Sequence, residues 1–179
     1  DSTAPASLDL KGSLWHPSQG IGILFDAPGY VQLDECWVAP QYQFMVLPSL
    51  GNSAPKRLIN FRQSSILMPG DACIKAVGKS PVHIDFDRCI FSRQAGSLSD
   101  EPTLLVMEDA SAIDLQSTDC LYHRIGNYGA LQRAINTRDV IARDWRQLRQ
   151  AISRCREEGT TLLTRSPWKE NRPWQRFVE

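Results

Sequence analysis

The chain has 179 residues, of which 42% are hydrophobic and 22% are charged, and its formal net charge at neutral pH is zero. This length suits one domain and can bury enough surface to fold without a metal ion or disulfide bonds. The composition is that of an ordinary globular protein, and no apolar run approaches the roughly 20 residues that a membrane-spanning helix needs, so we expect no membrane partner.

Up to about residue 115 the sequence is predicted to form short strands separated by turns. Runs rich in Val, Ile, Phe, Tyr and Trp alternate with segments rich in Pro, Gly, Asn and Asp, which favour turns. The seven predicted strands are GIGILF, YVQLDECWV, YQFMVL, RLINF, DACIKAV, VHIDFDRCIF and TLLVME. Because no helical pattern separates them and no repeat of longer period is apparent, they favour an antiparallel β-sandwich or a partly open barrel.

Beyond about residue 124 the apolar residues recur at the spacing of a helix. They predict a long helix with Thr137 at its N-cap and Gly159 at its end, preceded by a shorter helix. Two Pro-Trp pairs near the end of the sequence exclude a continuous helix there and predict an extended tail. The apolar stripe of the longer helix contains Ile141, Trp145, Leu148, Ile152 and Cys155, and that of the shorter one contains Tyr128, Leu131 and Ile135.

The two parts of the chain differ in charge. Residues 1–122 carry a net charge of −6, and residues 123–179 carry a net charge of +6. Such an asymmetry indicates an interaction surface on the basic part, although two parts of opposite charge could also simply pack on each other. We therefore predict an α+β fold in which residues 1–122 form a β-rich domain and residues 123–179 form a helical, basic segment packed on it.

The basic segment is rich in arginine and tryptophan. The planar fork of Arg suits phosphates and carboxylates, and basic residues interleaved with aromatic ones can hold a nucleic-acid backbone and stack its bases. The alternative is a solvated helix face, with the tryptophans packed on the chain's own β-rich domain. The candidate residues for binding nucleic acid or an acidic protein surface are Arg143, Arg146, Arg149, Arg154, Arg165, Trp168, Lys169, Arg172, Trp174 and Arg176.

A second candidate site lies in the stretch KSPVHIDFDRCIF at residues 79–91. In a strand, His83, Asp85 and Asp87 would share one face, with Ile84 and Phe86 on the other. Two carboxylates and an imidazole in a row could hold a divalent cation and activate a water molecule, so these three are the candidate catalytic residues. The alternative is the solvent-facing side of an ordinary sheet.

Two further motifs are incomplete. Cys120 and His123 have the spacing of a zinc-binding pair, but the second tight pair of such a site is missing. Residues 78–80 end like a phosphate-binding loop, but Cys73 stands where the loop needs its first glycine. Apart from a possible divalent cation we therefore predict no cofactor, and the five widely spaced cysteines favour reduced thiols in a cytoplasmic setting.

Three functions are open at this point. The favoured one is a small binding or regulatory protein whose arginine- and tryptophan-rich segment engages nucleic acid or an acidic protein surface without covalent chemistry. The second is a metal-dependent hydrolase, such as a nuclease, that uses His83, Asp85 and Asp87. The third is an assembly module whose C-terminal tail docks on a partner subunit of a larger complex.

Overall fold

The computed structural model describes residues 4–15, 20–39, 43–68, 71–93, 102–132 and 140–165, which form three sheets of six short strands each. Sheet A contains, in spatial order, β1 (Ala6–Lys11), β4 (Gly29–Asp34), β7 (Arg57–Arg62), β10 (Val82–Asp87), β13 (Ile113–Thr118) and β17 (Arg154–Glu158). Sheet B contains β2 (Leu14–Trp15), β5 (Trp37–Val38), β8 (Ser65–Met68), β11 (Ile90–Arg93), β14 (Leu121–His123) and β18 (Thr161–Leu163). Sheet C contains β3 (Ile21–Leu24), β6 (Gln43–Leu47), β9 (Ala72–Ala76), β12 (Thr103–Met107), β15 (Asn127–Leu131) and β16 (Val140–Ala142).

Neighbouring strands in these sheets are parallel, with one antiparallel pair, β15 and β16, in the described part of the chain. The chain visits sheets A, B and C in turn and moves on by one strand in each sheet per circuit. This is a three-sided parallel β-helix. One circuit through the three sheets forms a coil, and each coil contacts mainly its neighbours. The strands continue across residue 122, since β14 spans Leu121–His123.

The predicted antiparallel sandwich or barrel of about seven strands is wrong. The runs YVQLDECWV and VHIDFDRCIF were each expected to form one strand, but each contains two strands that belong to different sheets. The chain turns a corner at Glu35 and at Arg88, where the backbone has positive φ. Each long apolar run therefore wraps around the core instead of crossing one sheet.

The two predicted C-terminal helices are also wrong in extent or kind. The described residues contain one α-helix, α1 (Trp145–Ala151), and a 3-10 turn at Ala110–Ala112. The long helix fails because β16 precedes α1 and β17 follows it, and the short helix fails because residues 127–131 form β15. Two residues of the long predicted stripe are not buried like the rest, since Ile141 of β16 is 37% exposed and Cys155 of β17 is only partly buried. Residues 133–139 and the predicted tail from residue 166 lie outside the described residues.

The corner between sheets A and B repeats in every coil. Its first residue has positive φ, and in the four inner coils the second residue is a buried Cys or Ser. Cys36 Sγ donates to the carbonyl oxygen of Leu10 at 3.2 Å, and Cys89 Sγ donates to that of Phe61 at 3.3 Å, so these side chains link neighbouring coils. The six corners are Gly12-Ser13, Glu35-Cys36, Gln63-Ser64, Arg88-Cys89, Asp119-Cys120 and Gly159-Thr160.

The core contains a stack of aromatic rings that runs along the axis of the β-helix. Phe44, Phe61, Phe86 and Phe91 are buried, and the centroids of successive rings are 5.6, 5.4 and 4.8 Å apart. The stack continues through Tyr122, which packs against Trp145 of α1 with ring centroids 5.6 Å apart. The helix α1 therefore covers the core beside the last strands.

Candidate anion-binding surface

The outward side chains of sheet A form three rows along the β-helix axis, because its strands are stacked in register. Successive side chains in a row are about 4.8 Å apart, the usual spacing of neighbouring strands. The rows are Ser7, Tyr30, Leu58, His83, Asp114 and Arg154; then Asp9, Gln32, Asn60, Asp85, Gln116 and Arg156; then Lys11, Asp34, Arg62, Asp87, Thr118 and Glu158.

The strand β10 contributes one candidate catalytic residue to each row. His83, Asp85 and Asp87 are partly exposed on the outer face of sheet A, whereas Ile84 and Phe86 are buried, as the alternation in the sequence predicts. The three polar side chains are separated along β10 by about 7 Å per two residues. The part of the chain that the structure describes contains no group of three His, Cys, Asp or Glu side chains that could hold a metal ion.

Neighbouring cations hold two carboxylates of this face in their charged form. Hydrogen bonds from Arg88, at 2.8 Å for the shortest, lower the pKa of Asp87 below its ordinary value. Burial alone would raise the pKa of Asp114, but the hydrogen bond from Lys56 Nζ at 2.7 Å and the nearby His83 outweigh burial and lower it. His83 Nδ1 lies 3.1 Å from Asp114 Oδ2, close enough to form an ion pair when the imidazole is protonated.

Asp85 differs from its two neighbours on β10. Burial raises the pKa of Asp85 above its ordinary value, and the charge of His83 partly opposes that shift. His83, Asp85 and Asp87 thus have different partners and environments. Among the described residues, the geometry offers no cation position shared by these three side chains of β10 and no paired acid and base.

A polar cleft of about 430 Å³ lies on the same face, where sheet A ends at β17. The cleft is lined both by His83, one of the candidate catalytic residues, and by Arg154, one of the candidate binding residues, although the two are far apart in the sequence. Arg154 is anchored by a 2.8 Å hydrogen bond from its Nη2 to the carbonyl oxygen of Ser111. The residues lining the cleft are His83, Asp114, Leu115, Gln116, Ser153, Arg154, Cys155 and Arg156.

Exposed arginines continue from this cleft onto α1 and the last coil. Residues 140–165 contain six exposed arginines and no lysine, and their acidic residues are Asp144, Glu157 and Glu158. Within the described ranges, no carboxylate lies at ion-pair distance from any of the six arginines. We call these residues the arginine surface; they are Arg143, Arg146, Arg149, Arg154, Arg156 and Arg165.

The helix α1 shows how burial directs these charges outward. Trp145 and Leu148 are buried against the core, as is Ile152 just after the helix, which confirms the predicted apolar stripe in this part. Arg146 and Arg149 therefore lie on the exposed side, three residues apart and close to each other. Five other predicted binding residues, Trp168, Lys169, Arg172, Trp174 and Arg176, lie outside the described residues.

Sequence reasoning missed Lys56, Asp114 and Gln116 as neighbours of His83 and Arg154. The repeat of the corner between sheets A and B would have identified two of them, Asp114 and Gln116, because it fixes the position of each strand residue relative to its corner. His83, Asp114 and Arg154 each lie five residues before the positive-φ residue of their corner, so alignment of the corners places them in one row. Lys56 precedes a strand and has no such marker.

The described helices include none that is both long and apolar enough to cross a bilayer. The comparisons with known proteins found no match to this chain among protein families, curated proteins or solved structures.

Proposed function

We propose that this protein is a binding module that holds nucleic acid by its phosphate groups on the arginine surface. The observation that supports this proposal most strongly is the exposure of six arginines without ion-pair partners among the described residues. Each guanidinium can donate two parallel hydrogen bonds to one phosphate, which a lysine cannot do. No covalent step is required.

The positions of the arginines suit an extended ligand better than a single ion. Arg154 and Arg156 alternate along β17 and point to the outer face, about 7 Å apart along the strand. Arg146 and Arg149 lie on the exposed side of α1, which packs against β17. A chain of phosphates could therefore contact the strand and the helix at once. The proposed contacts do not depend on Trp168 or Trp174.

An acidic protein surface would be attracted by the same charges, and we treat it as the competing outcome of the test. The metal-dependent hydrolase has no comparable support. His83 lies beside Asp114, Asp87 accepts hydrogen bonds from Arg88, and Asp85 is partly buried. The assembly module stays a prediction.

All five cysteines are free thiols, four of them buried, and for that reason we propose a reducing compartment such as the cytoplasm.

The test is fluorescence anisotropy with labelled single-stranded RNA, single-stranded DNA and duplex DNA. The double variant Arg146→Gln/Arg149→Gln should bind about 10-fold more weakly, a loss of about 1.4 kcal/mol. The matched control Arg62→Gln/Lys79→Gln removes the same charge from exposed positions outside the arginine surface and should bind like wild type. Equal affinity of the two double variants, or no binding by wild type, would reject the proposal. Equally effective competition by polyglutamate would favour an acidic protein partner.

A further inference from the structure

The end of the β-helix opposite α1 is open in the described part of the chain. The strands β1, β2 and β3 are the outermost strands of sheets A, B and C, and each pairs with a neighbour on one side only. Exposed apolar side chains border this end: Leu14 is 48% exposed, Ile21 is 44% exposed and Leu24 is 58% exposed. Leu14 and Leu24 line an apolar cleft of about 540 Å³, together with Leu8, Leu10, Ser13, Trp15, Gly22 and Ile23.

Open strand edges with apolar side chains form a surface that proteins normally cover or pair. The free edge of β1 has a defined set of backbone groups. Ala6 N–H donates to Pro28 and Gly12 N–H donates to Asp34, both on the β4 side of β1. Alternate residues of a parallel strand face opposite neighbours, so the backbone N–H and C=O groups of Ser7, Asp9 and Lys11 face the free edge.

We propose that this end pairs with the same end of a second copy of the chain, with β1 antiparallel to its symmetry mate. A two-fold axis through Leu10 pairs Asp9 of each copy with Lys11 of the other. Such pairs exchange both backbone hydrogen bonds at a Cα separation of about 5.5 Å. Opposite charges directly across an antiparallel pair are favourable, and like charges are not.

The charges select this register over its neighbours. An axis through Asp9 would oppose the two Asp9 side chains, and an axis through Lys11 would oppose the two Lys11 side chains. Edge charges usually prevent strand pairing, but here their opposite signs favour the register through Leu10, in which each Asp9 opposes a Lys11. Lys11 is 69% exposed and its contact with Asp34 is long, at 3.8 Å, so it is available to a second carboxylate.

The same rotation exchanges the other two sides of the β-helix, because the axis is perpendicular to sheet A. The edge of β2 in one copy therefore meets the edge of β3 in the other. This contact covers Leu14 with Ile21 and Leu24 of the second copy and closes both apolar clefts. The interface is isologous, the commonest kind among soluble oligomers.

Sedimentation equilibrium of the full chain tests this proposal through a charge swap. We expect wild type to dimerise, Asp9→Lys to weaken dimerisation at least about 10-fold by opposing two lysines, and Asp9→Lys/Lys11→Asp to restore it. Restoration is specific to the antiparallel register through Leu10. A monomeric wild type at every accessible concentration, or a double swap that stays as weak as Asp9→Lys, would overturn the proposal.

A second pair of variants separates this surface from general hydrophobic association. Leu24→Ser should weaken the dimer, whereas Leu162→Ser should not, although Leu162 is 65% exposed and lies at the other end of the β-helix. Both side chains are exposed, so neither change should unfold the protein, which circular dichroism checks. Equal weakening by both variants, or by neither, would contradict the proposed interface.

Discussion

At the scale of single residues, the corners between sheets A and B impose a backbone conformation that L-residues seldom adopt. The backbone φ at these corners is 54° at Glu35, 45° at Gln63, and 52° at both Arg88 and Asp119. Side chains of L-residues reach this left-handed region at a cost, and only glycine and, less often, asparagine or aspartate visit it routinely. The next residue at each of these corners is buried and its side chain donates a hydrogen bond to a backbone carbonyl of the neighbouring coil, which offsets this cost.

Substitution at Gln63 measures that cost. Its side chain is exposed, so the change acts mainly on the backbone. Gln63→Val should lower the free energy of unfolding by about 1–2 kcal/mol, because a β-branched residue suits positive φ poorly. Gln63→Gly is the control and should be neutral or stabilising, since glycine adopts this φ without strain. Urea denaturation measures both, and a Gly variant less stable than the Val variant would contradict the conformational argument.

His123 makes the stability depend on pH. Its Nδ1 lies 3.0 Å from Ser92 Oγ, its Nε2 is buried without a partner among the described residues, and burial, followed by the charge of Arg124, lowers its pKa from 6.5. Between the lowered pKa of the folded chain and pH 6.5, the unfolded chain therefore binds a proton that the folded chain does not. Its stability contribution is complete above this pH and is lost as the pH falls through the folded pKa.

Urea denaturation at about pH 7.5 and about pH 5 tests this dependence. The free energy of unfolding of wild type should fall between these two values, and His123→Gln should reduce that fall. Asp87, Asp109 and Asp114 also have lowered pKa values, but their effect begins only at more acidic pH, near 3.8. An equal fall in wild type and in His123→Gln would contradict the role of His123.

At the scale of elements, α1 is short and depends on its N-cap and its buried side. Asp144 accepts a hydrogen bond from the backbone N–H of Gln147 at 2.8 Å. Leu148 fits against Gly129 of β15, where a Cβ atom would clash with the leucine side chain. An isolated helix of seven residues would be marginal in water, so packing and the cap together maintain it.

Removal of the cap tests how far α1 supports the arginine surface. Asp144→Ala should lower the free energy of unfolding by about 1 kcal/mol, and Asp144→Asn should retain most of it because Asn also caps helices well. The chemical denaturation midpoint and the hydrogen-exchange protection of residues 148–151 measure the effect. Wild-type stability in Asp144→Ala would show that packing alone holds the helix.

At the scale of the whole molecule, the fold could be predicted from the sequence only where local pattern decides burial. The alternation around His83 and the apolar positions Trp145, Leu148 and Ile152 were predicted correctly. The parallel stacking was not, because it joins residues distant in sequence: Cys36 and Ser64 are 28 residues apart, and Cys89 and Cys120 are 31 residues apart. Loops of unequal length between coils also hide the corner repeat from a search for a fixed period.

The candidate surface also has one part that local sequence pattern predicts and one part that depends on contacts between distant residues. The arginines were predicted from their local density and the outward side of a helical stripe, but their junction with His83 and Asp114 depends on the order of strands in sheet A. No short-range pattern determines that order. The arginine surface therefore lies at one end of the β-helix and the apolar cleft at the other end, so the two proposed interaction surfaces are separate.

The salt dependence of nucleic-acid binding tests the central claim most directly. For a single-stranded ligand each phosphate contact contributes about 0.7 to the slope of log K against log salt concentration. Arg146→Gln/Arg149→Gln should therefore reduce the magnitude of that slope by about 1.4, while Arg62→Gln/Lys79→Gln should leave it unchanged. A wild-type slope near zero, or the same slope in the two double variants, would contradict the assignment of phosphate binding to the arginine surface.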